Sequence, residues 1–371
     1  MRVLVLTKRQ YMLKDLINDH FGRFREIPLE LAQSGHLVRG LMLSYAKRDE
    51  GWLSDGPVLW KSINATRLKI PGLLVFILHS MRLAKKCEMI WACSDSFYGV
   101  IGCWLGRLFK VPVIFDIYDN FAEFFVAKLP LMKKLYQWAI MRSDAITCLS
   151  SSFAKSIKEK YGRAEHVYPI EFAIRNDIFK PLDKTRCRKM LGLPPHAVLV
   201  GTAGGLFKVR DVHLFIEAFC HLKKKYQDLH LALAGPLDNI IQIPYDSQVH
   251  YLGTLPYEEV PYLINSLDVA VVCYADDEYG KYCFPQKTRE FMACDVPTIA
   301  ARVGGLKELF ADHPEWLYTP GDVESLTEVL ERRLSDKRTG YLKPPTWKDL
   351  AKLLEGIMCR IRDERVQSIQ L

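Results

Sequence analysis

The feature of this chain that most constrains its fold is a regular alternation of short β-branched segments with longer amphipathic segments. Segments of the first kind predict strands, and segments of the second kind predict helices. The alternation runs from "RVLVLT" (2–7) to "DAITCLS" (144–150), and it starts again at "VLVGTAG" (198–204). Strands that alternate with helices of this length form parallel sheets. We therefore predict an α/β protein with two doubly wound, Rossmann-like domains.

The two predicted domains are separated by residues 174–197, a polar segment with three prolines that has the composition of a linker. A doubly wound domain binds its ligand in a crevice outside the carboxyl ends of its strands. If the two crevices face each other, a cleft forms between the domains. Because this architecture supports many reactions, the chemistry has to be identified from the residues in the loops that follow the strands.

Composition and charge exclude several classes of protein. The chain is 49% hydrophobic and 25% charged, as globular proteins are, and its apolar runs are too short for a membrane-spanning helix. Ten cysteines without a CxxC pair argue against disulfides and zinc, and they favour a reducing compartment such as the cytoplasm. The net charge of +8 fits a solvated basic surface, a phosphate-rich ligand or an anionic membrane face. No nucleic-acid-binding motif is present, so we expect no nucleic-acid partner.

A glycine-rich loop and two cations stand between a predicted strand and a predicted helix at residues 201–219. Gly204 and Gly205 allow the backbone to approach a ligand closely, and the following helix offers unpaired N–H groups to an anion. Lys208 and Arg210 add positive charge beside the start of that helix. A phosphate or diphosphate would fit this loop. A glycine turn with two solvated cations explains the same residues equally well.

The stretch "FPQKTREFMAC" (284–294) sets Lys287 three residues before Glu290, so that both lie on one face of a helix. One interpretation is a solvent-exposed ion pair of little energetic weight. Glu290, however, directly precedes apolar residues, where the helix turns into the core. At that position the carboxylate could accept hydrogen bonds from sugar hydroxyls while the lysine meets a phosphate.

Four segments resemble retaining glycosyltransferases of the GT-B fold, in the large glycosyl transferases group 1 family and its P-x-K-x-x-E subgroup. The resemblance implies two Rossmann-like domains facing across a cleft, a nucleotide-sugar donor (UDP- or GDP-sugar), a glycan or lipid-linked acceptor, and retention of anomeric configuration by front-face attack. It also implies an acceptor-side domain (1–180), a donor-binding domain (181–345) and a C-terminal helix (346–371) that crosses back to the first domain. The segments are "GRFREIPLELAQSGHLV" (22–38), "VGTAGGLFKVRDVHLFIEAF" (200–219), "VHYLGTLPYEEVPYLINSLDVAVVCY" (249–274) and "FPQKTREFMACDVPTIAARVGGLKEL" (284–309).

The same resemblance implies roles for individual residues. Glu290 matches the glutamate that holds the ribose of the nucleotide, and Lys287 matches the subgroup's lysine. Arg210 matches a diphosphate-binding lysine, and Gly22 matches a first-loop glycine that approaches the donor phosphate. The nucleotide base is expected near "YLGTL" (251–255), which makes Leu255 a donor-binding candidate.

Three positions depart from the family's pattern. Tyr282 stands where the first glutamate of the motif is usual, which leaves the role of that glutamate towards the sugar open. Gly205 replaces the usual diphosphate-binding arginine, and Lys208 is a candidate substitute. Tyr118 stands where a histidine of the first domain is common. These departures concern the sugar and the details of catalysis more than the fold.

Transfer of the sugar leaves negative charge on the departing diphosphate. Lys208, Arg210 and a helix N-terminus could stabilise this charge. No DxD signature lies in a suitable loop, and "ADDEYG" (275–280) is a weak metal candidate, so we predict a reaction without a metal or another cofactor. Asp119 is the candidate for contacting the acceptor, and a helix cap is the alternative interpretation of that residue.

Membrane contact and a non-catalytic role remain as alternatives. The apolar, cation-flanked helices at 73–86 and 129–142 could rest on the inner face of a membrane as a peripheral contact. Packing against the first sheet explains the same pattern and is the preferred interpretation. Tyr282 favours a non-catalytic nucleotide-sugar-binding relative or a partner subunit, whereas Glu290 and the neighbouring cations favour an active enzyme.

Overall fold

The computed structural model describes residues 1–11, 14–65, 70–119, 129–163, 165–277, 280–282, 284–336, 338–339 and 343–370. The chain forms two compact units, Met1–Glu171 with Trp347–Leu371, and Phe172–Thr346. Each unit has its own sheet, in which nearly all neighbouring strands are parallel. No described helix combines the length and the apolar character that are needed to cross a bilayer.

The elements are numbered here in chain order. The strands are β1 (Arg2–Lys8), β2 (Gln10–Tyr11), β3 (Lys14–Asp15), β4 (Leu37–Ser44), β5 (Gly51–Asp55), β6 (Val58–Asn64), β7 (Met89–Cys93), β8 (Val113–Ile117), β9 (Ala145–Cys148), β10 (Val167–Pro169), β11 (Val198–Ala203), β12 (Leu229–Ala234), β13 (Val249–Tyr251), β14 (Val269–Val272), β15 (Thr298–Ala301) and β16 (Leu317–Tyr318). The helices are α1 (Arg23–Gln33), α2 (Ile70–Ala84), α3 (Ser96–Phe109), α4 (Pro130–Arg142), α5 (Ser151–Tyr161), α6 (Lys184–Met190), α7 (Val212–Leu222), α8 (Val260–Ser266), α9 (Gln286–Ala293), α10 (Gly304–Leu309), α11 (Val323–Ser335) and α12 (Trp347–Gln370).

The first unit is built on an eight-stranded sheet with the order β10-β9-β8-β7-β1-β4-β6-β5. Its strands are parallel except for β5, which forms an antiparallel hairpin with β6. The sequence pattern does not predict this hairpin, because β5 ("GWLSD") has no β-branched residue and lies at the edge of the sheet. Helices α2, α3, α4 and α5 pack side by side, whereas α1 packs against α12. Right-handed crossovers place these two groups on opposite faces of the sheet.

The second unit has a six-stranded, fully parallel sheet with the order β13-β12-β11-β14-β15-β16. Counted from β11, this is the order 3-2-1-4-5-6 of the Rossmann fold. The direction of winding reverses between β11 and β14, so the ligand crevice is expected outside the carboxyl ends of these two strands. The doubly wound α/β architecture predicted from the sequence is confirmed in both units.

Candidate functional site

Three glycines follow the adjacent strands β11, β12 and β13 of the second unit. Gly204, Gly235 and Gly253 have φ angles of 103°, 136° and 67°. The Gly204 N–H donates to the Ala234 carbonyl at 2.9 Å, and the Gly235 N–H donates to the Gly253 carbonyl at 2.8 Å. A Cβ on Gly235 would lie 2.0 Å from the Gly204 carbonyl oxygen, so only glycine lets these turns pack together. Sequence reasoning assigned no role to Gly235 and Gly253, although the position of each just after a strand was a usable signal.

Lys287 lies against the first of these turns. A Cβ built on Gly204 would be 3.6 Å from the Lys287 ammonium, which places that charge at the exposed glycine. Lys287 belongs to the first turn of α9, which begins after Pro285, and no described side chain caps this helix end. The cation and the N–H groups of the first turn therefore favour an anion at the same place.

Glu290 is buried one helical turn beyond Lys287. Its side chain accepts a 3.0 Å hydrogen bond from the Gln286 amide. Burial raises the pKa of this carboxyl to about 7, against the opposing effects of that hydrogen bond and of Lys287. A solvent-exposed ion pair does not describe this arrangement, because Glu290 is only 8% exposed. A buried carboxyl whose pKa lies near neutral pH, beside a cation and a glycine turn, suits a ligand with hydroxyl and phosphate groups.

Two aromatic rings hold Arg210. Its guanidinium carbon lies 5.5 Å from the centre of the Phe207 ring and 5.4 Å from that of Tyr274, which follows β14. A Cβ on Gly205 would lie 2.3 Å from the Phe207 ring, so Gly205 makes room for this ring. Cation–π contacts with these two rings help to position Arg210 at the point where the winding reverses.

Lys208 and Leu255 lie in loops of the same unit. The side chain of Lys208 is exposed, and its backbone N–H donates to Asp238 at 3.4 Å. Leu255 follows β13 and packs, half-buried, against the core of the second unit. With Gly204, Gly205, Arg210, Lys287 and Glu290, these residues make up what we call the second-unit edge.

The remaining predicted residues, Gly22 and Asp119, belong to the first unit. Gly22 has a φ of 90° and precedes α1 directly. Asp119 follows β8 and is half-buried. The residues after Asp119 lie outside the described part of the chain, so the interpretation of Asp119 as a helix cap is not tested.

Aromatic rings surround this position. The Tyr118 ring lies 5.3 Å from that of Phe24 and 5.6 Å from that of Tyr11, measured between centroids. The Lys8 ammonium lies 4.7 Å from the centre of the Tyr11 ring. Burial lowers the pKa of Lys8, while the Asp95 and Asp119 carboxylates oppose the shift. Lys8, Asp95, Tyr118 and Asp119 stand at or just after the carboxyl ends of β1, β7 and β8. Together with the Tyr11 and Phe24 rings they form what we call the first-unit edge.

The weak metal candidate at 275–280 is only partly described, because Glu278 and Tyr279 lie outside the described residues. Within the described part of the chain, no three His, Cys, Asp or Glu side chains are grouped as a metal site. Tyr282 ends a short 3₁₀ turn, Gly280–Tyr282, in which the Gly280 N–H donates to Asp277 at 2.7 Å.

Comparisons with known proteins point to one family. Residues 197–336 match the family model described as Glycosyl transferases group 1. The chain is 24% identical over 219 residues to the 2-deoxystreptamine glucosyltransferase of Streptomyces kanamyceticus, covering 56% of this chain and 55% of that protein. It is 25% identical over 164 residues to a D-inositol 3-phosphate glycosyltransferase of Corynebacterium urealyticum, covering 40% and 38%. The chain thus spans about half the length of these relatives, or less.

Solved structures match the chain over its full length. Sucrose-phosphate synthase from Thermosynechococcus elongatus has a TM-score of 0.71 at 17% identity, with 100% of both chains covered. Anabaena Alr3699/HepE in complex with UDP-glucose has a TM-score of 0.65 at 18% identity, with 100% of this chain and 99% of that chain covered. These neighbours are glycosyltransferases of the GT-B fold, and the predicted fold is confirmed.

Proposed function

We propose that this chain, a GT-B protein whose residues 197–336 belong to the glycosyl transferases group 1 family, transfers a sugar from a nucleotide-diphosphate sugar to a hydroxyl acceptor. Glycosyltransferases of this group use nucleotide-sugar donors. The observation that carries the proposal is the Lys287 ammonium against the Gly204 turn, with the buried carboxyl of Glu290 one helical turn further along α9.

In this proposal the second-unit edge binds the donor. The diphosphate lies over the Gly204 turn, where Lys287 and the uncapped N–H groups of α9 supply positive charge. The Glu290 carboxylate accepts hydrogen bonds from the ribose hydroxyls. The base, of a UDP- or GDP-sugar, lies near Leu255. Gly22 keeps the role that the resemblance implies for it, contact with the donor phosphate.

The transfer itself requires charge stabilisation rather than a strong base. The bond between the anomeric carbon and the diphosphate oxygen breaks, and a bond from the acceptor oxygen to the same carbon forms on the same face, with retention. The acceptor proton passes to an oxygen of the departing phosphate. Lys208 and Arg210 stabilise the negative charge that develops on that group, and Arg210 is held in place by Phe207 and Tyr274. Asp119 contacts the acceptor, which is a glycan or a lipid-linked hydroxyl, in the cytoplasm.

A second candidate function is that of a non-catalytic nucleotide-sugar-binding relative or a partner subunit. The presence of Tyr282, where the family's first glutamate is usual, is the observation that favours it. Both candidates require a donor site, so nucleotide binding tests what they share and turnover separates them.

The test is calorimetric titration of the protein with a panel of nucleotide diphosphates and nucleotide sugars. We expect one nucleotide to bind, and Glu290→Ala to weaken it by about 1.5–3 kcal/mol, the energy of a charge-assisted hydrogen bond. Glu217→Ala, which removes an exposed carboxylate of α7, is the matched control and should bind as the unmodified protein does.

Two results would contradict the proposal in different ways. If the folded protein binds no nucleotide, both candidate functions fail. If the protein binds a nucleotide sugar but releases no nucleotide diphosphate with any of a wide set of acceptors, the non-catalytic candidate is favoured.

A further inference from the structure

An apolar stripe covers the outer face of α2 in the first unit. Leu74, Val75 and Leu78 are 57%, 42% and 55% exposed, and their spacing puts them on one side of the helix. Phe76 and Leu83, by contrast, are buried. Core packing, the preferred interpretation of this helix in the sequence, therefore accounts for its inner side and leaves the outer stripe unexplained.

The neighbouring helix continues this stripe. α3 packs beside α2, and its exposed side includes Trp104 and Leu108, four residues apart and 42% and 49% exposed. We call Leu74, Val75, Leu78, Trp104 and Leu108 the outer apolar surface. Contiguous exposed apolar groups of this kind mark interaction surfaces, since single exposed apolar residues are common but clusters are not.

The charged side chains within α2, α3 and α4 all have one sign. Arg82, Lys85 and Lys86 lie at and just after the end of α2, and Arg107 and Lys110 do so for α3. The next helix in this layer, α4, adds three more cations. No aspartate or glutamate occurs within the bounds of α2, α3 or α4. On the opposite face of the sheet, α1 and α12 carry charges of both signs.

We propose that the outer apolar surface and its flanking cations dock the protein on an anionic lipid bilayer. Leucine and tryptophan side chains enter the boundary between headgroups and acyl chains, as they do in amphipathic helices that lie in a membrane plane. Lysines and arginines at the rim lie against phosphate headgroups, whose negative potential attracts them. The docking is peripheral, since no described helix is able to span a bilayer. The inference uses none of the donor-binding residues.

Sedimentation with vesicles tests the proposal. The full chain is mixed with vesicles of phosphatidylglycerol and phosphatidylcholine in equal parts, and with vesicles of phosphatidylcholine alone. We expect binding to the anionic vesicles, and we expect Leu74→Glu/Leu78→Glu to reduce the partition coefficient by about tenfold or more, because it removes apolar contact and adds negative charge. Leu353→Glu is the matched control: Leu353 is 47% exposed on α12, on the opposite face, and its substitution should leave binding unchanged.

A second variant addresses the charges alone. Lys85→Gln/Lys86→Gln should weaken binding to anionic vesicles at low salt. At about 0.5 M sodium chloride, where such charges are screened, the variant and the unmodified chain should bind alike. The vesicle binding of the variant should therefore depend less on salt. Thermal unfolding of each variant establishes that it is folded.

Three results would overturn the proposal. The first is that the unmodified chain ignores anionic vesicles. The second is that Leu74→Glu/Leu78→Glu binds them as well as Leu353→Glu does. The third is that the unmodified chain forms a dimer that this double substitution abolishes, which would make the outer apolar surface an interface between two copies.

Discussion

The two units carry the same kind of sheet, but they end it in differently built edges. At the second-unit edge, Gly204 and Gly235 pack backbone against backbone, and Lys287 lies beside them. At the first-unit edge, aromatic rings pack together instead, and Lys8 lies beside the Tyr11 ring with its charge favoured by the Asp95 and Asp119 carboxylates. Exposed backbone with cations suits a phosphate, whereas rings with carboxylates suit a sugar-like, polyhydroxylated ligand. The comparison teaches that strand order places a crevice and the loop residues give it its chemistry.

The largest difference between the edges should appear when a cation is removed from each of them and the rate of transfer or the nucleotide affinity is measured. Arg210→Ala is expected to lower kcat/KM by about 10²–10³-fold, because a fixed positive charge no longer meets the departing diphosphate. The readout is release of nucleotide diphosphate from the sugar donor. Arg332→Ala, at an exposed arginine of α11, is the control and should leave the rate unchanged.

The counterpart at the first-unit edge is Lys8→Met, which keeps most of the apolar stem of the side chain. It should leave nucleotide affinity unchanged, because Lys8 lies at the first-unit edge with Asp119, to which the proposal assigns contact with the acceptor. If Lys8→Met weakened nucleotide binding as much as Glu290→Ala is expected to, the assignment of the donor to the second-unit edge would be wrong.

A second difference concerns the loss of stability when a glycine of each unit is replaced by alanine. Gly235→Ala should destabilise the protein by roughly 3 kcal/mol, because its Cβ would meet the Gly204 carbonyl oxygen at 2.0 Å in a backbone that also has a φ of 136°. Gly22→Ala should cost about 1 kcal/mol, because its φ of 90° is strained for alanine but no described atom lies within 4 Å of the new Cβ. Chemical denaturation measures both, and equal losses would contradict the claim that the backbone contact at Gly235, which Gly22 lacks, causes the larger loss.

Much of the fold could be predicted from the sequence because it depends on local periodicity. The segments that became β1, β7, β11 and α9 carry their own patterns of apolar residues, so they can be recognised one by one. The β5–β6 hairpin lacks such a pattern, because an edge strand covered on one side needs few β-branched residues. An apolar helix such as α2 is ambiguous in another way, since composition does not tell which of its faces meets the sheet.

The site could be predicted only where its residues are neighbours in the chain. Lys287 and Glu290 are three residues apart, so helical geometry alone puts them together. Tyr274, whose ring lies beside Arg210, follows β14, whereas Arg210 follows β11, and Gly235 meets Gly204 only through the register of β11 and β12. Such contacts follow from strand pairing over long sequence distances, which a local pattern does not encode.

The smallest of the predicted differences concerns the buried carboxyls. Glu290 has a pKa of about 7 in the folded chain, above the ordinary value of 4.5, because burial disfavours its charge. The folded state therefore holds a proton that the unfolded state has released, and stability is lost as the pH rises from 4.5 through 7. Between pH 5 and 8 this loss amounts to about 2.5 kcal/mol at about 1.4 kcal/mol per pKa unit.

Denaturation of the unmodified protein and of Glu290→Gln across this range measures the effect. The glutamine keeps an acceptor for the Gln286 amide but does not titrate, so the variant should gain stability relative to the unmodified protein as the pH rises.

Asp116, at the end of β8 in the first unit, is also buried with a raised pKa, but it accepts a 2.9 Å ion-pair bond from Arg23. Asp116→Asn should destabilise the protein throughout pH 5–8, because it leaves the buried Arg23 without that carboxylate. If Glu290→Gln and Asp116→Asn changed the free energy of unfolding in the same direction at pH 8, the difference between the two carboxyls could not be explained by the ion pair that Asp116 has and Glu290, among the described residues, lacks.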